Sequence, residues 1–332
     1  MPFIKLKLRR QCGAPSSRGV PQLLAMTKKT IAGGIQRWEK KWGLIFIAPW
    51  LIGFAVFYLG PMVASFIFSF FDYNLIKPEA SAFVGGGNWK RAFVEDPIVM
   101  KSIAHILEYT MISLPISFCF SLLVAVLLNN KYLLGKKLFR ALFYLPSMIP
   151  FVASVLIWQG IMNEQTGWFN LILGNLGFPG VRWLASARWI YISYTLIGIW
   201  GCGNTILIFL AGLQGVPKEL YEAATIDGAN SWQRLKAVTI PMMTPVIFYN
   251  VLISVISLMQ FFLTPMVLNN GSGFPNGMTN FPMVYFYRQA FSYFNMGYGA
   301  AIAWVIFFVG MLFTLILFGT QSKWVYYAGE KK

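Results

Sequence analysis

Residues 219–241, "ELYEAATIDGANSWQRLKAVTIP", gather chemistry that the rest of the chain lacks. Glu219, Glu222 and Asp227 are three of only 11 acids in 332 residues. Their arrangement suits recognition rather than bond-making. Glu222 offers one carboxylate to a cationic partner, Ala223 and Ala224 form a smooth patch that another surface can approach, and Leu220 and Tyr221 can fill apolar pockets beside it. Catalytic constellations are missing. The single His105 has no ligand partner nearby, whereas a metal centre takes three or four ligands. Cys12, Cys119 and Cys202 fit neither a disulfide framework nor a metal spacing. The fragment nearest to a P-loop, "LLGKKLFR", lacks the first glycine and the hydroxyl residue, so no nucleotide site is expected on this chain. No enzyme activity, bound cofactor or metal is expected of it.

The elements that must carry this stretch follow from local signals. Pro217 suits the first turn of a helix, and "KELYEAATID" is a helix former with acids toward its positive end. Gly228 can take the left-handed position that closes such a helix. Asn230 or Ser231 can cap a second helix, "WQRLKAVTI", which Pro241 is expected to stop before another apolar run begins near Pro245. Helices of about ten residues are marginal alone in water, so something should pack against this one. A membrane surface explains its apolar residues but not its acids, because anionic lipid favours Lys and Arg.

Composition sets the solvent. The chain is 57% hydrophobic and 11% charged with mean hydropathy +0.60, against about 25% charged in soluble proteins. Too little charge remains to cover a water-facing surface, so the net charge of +16 reads as membrane flanks and not as a nucleic-acid surface. Six apolar runs predict membrane helices: Gly43–Phe71, about Ile106–Leu128, Ala141–Met162, Trp189–Leu213, Pro245–Leu268 and Ala300–Thr320. The first is too long for a signal peptide and is followed by no small-residue cleavage site. Flanks 1–42, 129–140, 214–244 and 321–332 hold 20 Lys and Arg, and the alternating flanks hold 7. That bias predicts both termini and the 214–244 loop in the cytoplasm. The expected organisation is an all-α polytopic protein. It has a basic, partly disordered segment at 1–41, in which either Met26 is the natural start or residues 1–25 are dispensable, a six-helix domain at 42–320, and a cytoplasmic tail at 321–332. Glu108 is the only acid within these runs, which argues against an ion-coupled carrier and leaves the energy source outside the chain.

The loop residues carry a resemblance. "ELYEAATIDGANSWQRLKAVTIP" resembles the E-A-A-x(3)-G-x(9)-I-x-L-P signature of binding-protein-dependent ABC importer permeases, with Glu222, Ala223, Ala224 and Gly228 in place and "TIP" at Thr239 to Pro241 for its end. Asp227–Gly228 with Trp232 is similar to the carbohydrate branch. So are "FLAGLQGVP" at Phe209 to Pro217, "YFYRQAF" at Tyr285 to Phe291 and the tail "SKWVYYAGE" at Ser322 to Glu330, which matches the maltose-transporter first-subunit type. Leu235 replaces the common aromatic, and "NNGSGFP" stands where "T-x-G-G-P" is usual. The likeness covers about residues 43–330. It implies a type I ABC importer permease fold in a bacterial or archaeal cytoplasmic membrane. It also implies a coupling helix docked on a cytoplasmic ATPase, with Glu222 facing a basic group there and Gly228 permitting the bend. The implied partners are a second homologous permease, two ATPase subunits that hold ATP and Mg, and an extracytoplasmic solute-binding protein delivering sugar.

A sugar path needs aromatic faces and neutral hydrogen-bonding groups. The fourth run offers Trp200, Gly201 and Asn204, and the fifth offers Ser254, Ser257, Gln260 and Phe261. Spacings of three or four residues predict each set on one helix face. Small polar residues are also ordinary helix-packing positions. A stand-alone channel or carrier would give the 219–241 loop no task, and a sensor would signal without transporting. A glycerol 3-phosphate permease would favour a basic group in the path, and the fourth and fifth runs hold none.

Overall fold

A computed structural model describes residues 42–327 except Leu75 and Lys77. The readings of 1–41, of Met26 and of the last five residues lie outside the described residues. The chain divides into two compact units, one ending at Ala64 and the other beginning at Ser65. In chain order the helices are α1 (Trp42–Phe68), α2 (Pro97–Asn129), α3 (Lys136–Met148), α4 (Phe151–Ile161), α5 (Trp168–Asn175), α6 (Ile190–Trp200), α7 (Gly203–Gln214), α8 (Lys218–Ile226), α9 (Ser231–Met259), α10 (Leu263–Asn269), α11 (Pro282–Tyr287) and α12 (Met296–Trp324). A two-stranded antiparallel ribbon, β1 (Phe71–Asp72) with β2 (Ala82–Phe83), follows α1.

Helices α1, α2, α9 and α12 are each long and apolar enough to cross a bilayer. The pairs α3–α4 and α6–α7 meet those criteria only together, bent by 99° and 61°. With each pair counted as one span, the spans number six. The first bend follows from proline. Ile149, just before Pro150, is extended at φ −74° and ψ 134°, as a residue preceding proline must be, and Pro150 opens α4. The second bend centres on Gly201 and Cys202. A Cβ on Gly203 would lie 2.5 Å from the Phe143 carbonyl oxygen and 2.8 Å from Tyr144 Cα, so only glycine lets α3 and α7 cross so closely.

Several boundaries depart from the expected ones. Helix α2 begins at Pro97, because Asp96 caps it by accepting from the Ile98 N–H at 2.9 Å. Its polar first turns escape a search for continuous apolar residues. Pro241 does not stop a separate helix. Residues Leu235–Thr239 form a π-turn, and the wider turn accommodates the proline ring and its missing N–H within one continuous α9. That span therefore runs Ser231–Met259 instead of Pro245–Leu268, and α10 is a separate helix. Helix α12 extends through Trp324, past the expected boundary at 320.

Within the second unit α2 runs through two apolar clusters. Val99, Ile106 and Tyr109 join Tyr191, Tyr194, Phe281, Val284, Tyr298 and Ile302 in one. Val124, Ala125 and Leu128 join Ile206, Phe209, Leu210, Leu213 and Met243 in the other, nearer the 214–230 loop. The three-and-four spacing puts these α2 residues on one stripe. Met111, Leu123 and Leu127 point outward from the same helix, as do Leu312, Leu315 and Ile316 from α12. Lipid is as apolar as a protein interior, so packing contacts and polar pairs hold such helices together where water would not drive them.

Candidate functional site

Helix α8 is short and closed at its C-terminal end. Pro217 stands just before the first turn rather than within it and makes no side-chain capping bond. At its end Gly228 is left-handed at φ 77°. The Ala229 N–H donates to the Ala224 carbonyl at 2.9 Å and the Gly228 N–H to that of Thr225 at 3.1 Å, a Schellman closure. Asn230 and Gln233 then form a reciprocal capping box, at 2.9 Å and 2.8 Å, that starts α9. The turn between two helices is thus satisfied by its own residues.

The two faces of α8 differ. Glu222 and Ala223 are exposed, Leu220 is partly exposed, and Ile226 is 87% exposed. Glu222 has no ion-pair partner among the described residues. Tyr221 faces inward instead of filling a partner's pocket, its hydroxyl 3.0 Å from Thr239 Oγ1 on α9. Ala224 is half-buried on the same side. Arg234 donates to Thr225 Oγ1 and Ser231 Oγ, both at 3.2 Å, and ties α8 to α9 a second time. Asp227 is exposed at the closing turn. A cavity of about 710 Å³ opens between α8, the start of α9 and the end of α2, lined in part by Asn130, Lys131, Tyr221, Trp232, Arg234 and Thr239.

The residues expected on a sugar path divide among three places. Trp200, Gly201 and Asn204 straddle the α6–α7 bend, so helical spacing does not put them on one face. Gly201 and Asn204 are exposed; Trp200 is half-buried and packs edge-on against Trp158 with ring centres 6.0 Å apart. Ser254 and Ser257 share α9, and the Ser257 hydroxyl donates to its own helix at the Ile253 carbonyl, 2.8 Å. Gln260 and Phe261 lie beyond the last turn of α9, where the helical spacing ends. Gln260 is exposed at a cavity of about 560 Å³ shared with Met283, Phe286 and Phe307. Phe261 packs into an aromatic cluster with Tyr109, Tyr194 and Phe281 at 5.0, 5.8 and 5.5 Å.

Sequence reading missed a network on the side opposite the 214–230 loop. Tyr285 and Tyr298 both donate to Asp96 Oδ2, at 2.5 and 2.7 Å, and Gln289 donates to the Tyr285 hydroxyl at 2.8 Å. The Arg91 guanidinium lies 4.0 Å over the Tyr298 ring. Burial pushes the Asp96 pKa up. Hydrogen bonds from the two tyrosines and the Ile98 N–H, with the Arg91 charge, outweigh burial and hold it below the usual value. Burial and the adjacent carboxylate raise that of Tyr285. "YFYRQAF" contained Tyr285 and Gln289, and the Asp96–Pro97 pair is a helix-start signal; neither pattern reveals that they meet.

Residues 106–326 match the family described as binding-protein-dependent transport system inner membrane component. The chain is 38% identical over 295 residues to the probable ABC transporter permease protein YesP of Bacillus subtilis (strain 168), covering 87% of this chain and 93% of that protein. It is 36% identical to the arabinooligosaccharides transport system permease protein AraP of the same organism, over 82% and 86% of the two chains. It is 30% identical to the trehalose/maltose transport system permease protein MalF of Thermococcus litoralis, over 84% and 92%. Its fold resembles a chain of a bacterial alginate ABC transporter solved in complex with alginate pentasaccharide-bound periplasmic protein. The TM-score there is 0.74 at 22% identity, covering 86% of this chain and 96% of that one.

Proposed function

The chain belongs to the binding-protein-dependent transport system inner membrane component family, and from that premise we propose that it is the permease subunit of an ATP-driven importer of neutral oligosaccharides. It spans the membrane and forms half of the translocation path, with a second homologous permease supplying the other half. A solute-binding protein delivers the sugar from outside. Two ATPase subunits sit on the cytoplasmic side and hold ATP and Mg; this chain hydrolyses nothing. The Lys and Arg excess supports placing 1–41, the 214–244 loop and the 321–332 tail in the cytoplasm, around the membrane domain at 42–320.

One observation carries the coupling role. Helix α8 closes its own C-terminal end, is tethered inward through Tyr221 and Arg234, and leaves Leu220, Glu222 and Ala223 exposed. A rigid element with one such face is built to be gripped. Closure of the ATPase pair moves α8, and α9 moves with it, because Tyr221 and Thr239 join the two. The path then alternates between two arrangements biased by nucleotide and by the loaded binding protein. Asp227 and Gly228 set the turn at the end of the lever. Trp200, Gly201, Asn204, Ser254, Ser257 and Gln260 remain the residues assigned to the sugar path, with Phe261 behind them in the aromatic cluster.

Glu222→Lys places a positive charge where the partner presents one. Sugar-stimulated ATP turnover is expected to be lost while membrane insertion persists, measured in proteoliposomes holding the whole importer. Normal coupled turnover in that variant refutes docking through α8.

A further inference from the structure

A cavity of about 250 Å³ lies on the side away from the 214–230 loop, lined in part by Gln159, Asn163, Glu164, Arg182, Trp183 and Asn269. We propose that it is an outer receiving site for one neutral sugar unit, from which the rings of Trp183, Phe169, Trp158 and Trp200 lead to the bend between α6 and α7. The inference rests on the sugar-importer reading above and adds to it a site separate from Asn204 and α9.

The lining sets the aromatic faces of Trp183 and Phe274, with aliphatic Met162, Leu184 and Leu268, among planar polar groups, a mix that suits the apolar faces and hydroxyls of a sugar ring. Trp183 is held in place by its indole N–H, which donates to Asn170 Oδ1 at 2.9 Å; Asn170 in turn pins Val181 and Glu164. Glu164 and Arg182 neutralise each other at 3.1 Å, so the cavity carries paired charge and favours a neutral guest. Asn163 Oδ1 is taken by Gln165 and Thr166, and Asn269 Oδ1 by the Tyr194 hydroxyl; neither amide nitrogen donates to another of the described residues, so both can donate to hydroxyls. Gln159 is exposed. The volume falls below the range of about 300–1,000 Å³ of sites for larger ligands, which suits one ring and not a chain.

Rings continue inward from this cavity. Trp183 packs on Phe169 at 5.4 Å between centres, Phe169 on Trp158 at 5.8 Å, and Trp158 on Trp200 at 6.0 Å. Trp158 and Trp200 line a second cavity of about 320 Å³ beside Cys202. The Trp158 indole nitrogen is buried without an acceptor among the described residues.

The test uses the whole importer in nanodiscs and proteoliposomes, with arabinotriose and maltotriose as probes. Gln159→Ala and Trp183→Leu are expected to raise the KM for uptake about tenfold, the worth of one lost hydrogen bond or ring contact. The maximal rate is retained, and Trp183→Phe restores most of the affinity. The transported sugar is also expected to protect Trp183 from hydroxyl-radical oxidation. Unchanged KM in both variants, or oxidation indifferent to sugar, overturns the site and leaves sugar import standing. Should Trp183→Leu fail to assemble, Gln159→Ala decides alone, because its exposed side chain leaves folding intact. Uptake of neither trisaccharide by the unaltered importer overturns both the site and the reading beneath it.

Discussion

Asp96 keeps two tyrosine hydroxyls from being orphaned where α2 begins. Leucine at that position leaves both without an acceptor and removes the helix cap, a loss of about 1–3 kcal/mol. Asparagine still accepts hydrogen bonds, so Asp96→Asn is expected to be milder at neutral pH. Their pH dependence differs too. The folded pKa of Asp96 lies below its ordinary value, so its stabilisation is complete above about pH 4 and is lost as pH falls through the lower folded pKa. Thermal unfolding in nanodiscs is expected to show the melting temperature falling less steeply with acid in Asp96→Asn than in the unaltered chain. Equal slopes remove Asp96 from the account. The tyrosines lie 189 and 202 positions away, so no local pattern announces this pairing. The place of Glu222 on a short helix, by contrast, follows from its neighbours in sequence, which are also its neighbours in space.

Helix α8 and the turn after it were readable because caps are local chemistry: Gly228 at the left-handed position follows from residue type, and of the two caps expected, Asn230 or Ser231, it is Asn230 that caps α9. Gly228→Ala meets nothing within 4 Å, so its cost is purely conformational, about 1–2 kcal/mol. That strain is expected to loosen the lever and raise the ATP consumed per sugar transported, read from paired hydrolysis and uptake rates. A ratio unchanged from the unaltered importer denies α8 its rigidity. Gly203→Leu acts differently, because a side chain there meets the backbone of Phe143 and Tyr144. Helices α3 and α7 must part, and the yield of monodisperse protein is expected to fall sharply. Proline misled the reading of α9: a missing N–H argues for a stop at Pro241, yet the preceding π-turn absorbs it.

At the scale of the whole molecule, the proposed role leaves the work to separate ATPase subunits. Proteoliposomes holding the permeases alone are expected to show no uphill sugar accumulation, and addition of the ATPase subunits with ATP to restore it; accumulation without them defeats the proposed division of labour. The sequence by itself determined the solvent, the number of spans, the Lys and Arg asymmetry and the closed turn at 227–230. Each depends on composition or on residues a few positions apart, where apolar length, caps and glycine conformation act. Only the tertiary structure decided that Trp200 and Asn204 straddle a bend, that Phe261 and Tyr221 turn inward, and that Asp96 meets Tyr285 and Tyr298. Those outcomes depend on which distant helices cross and how closely. Inside a bilayer the packing of small residues and the pairing of polar groups set those crossings, since burial from water does not act there.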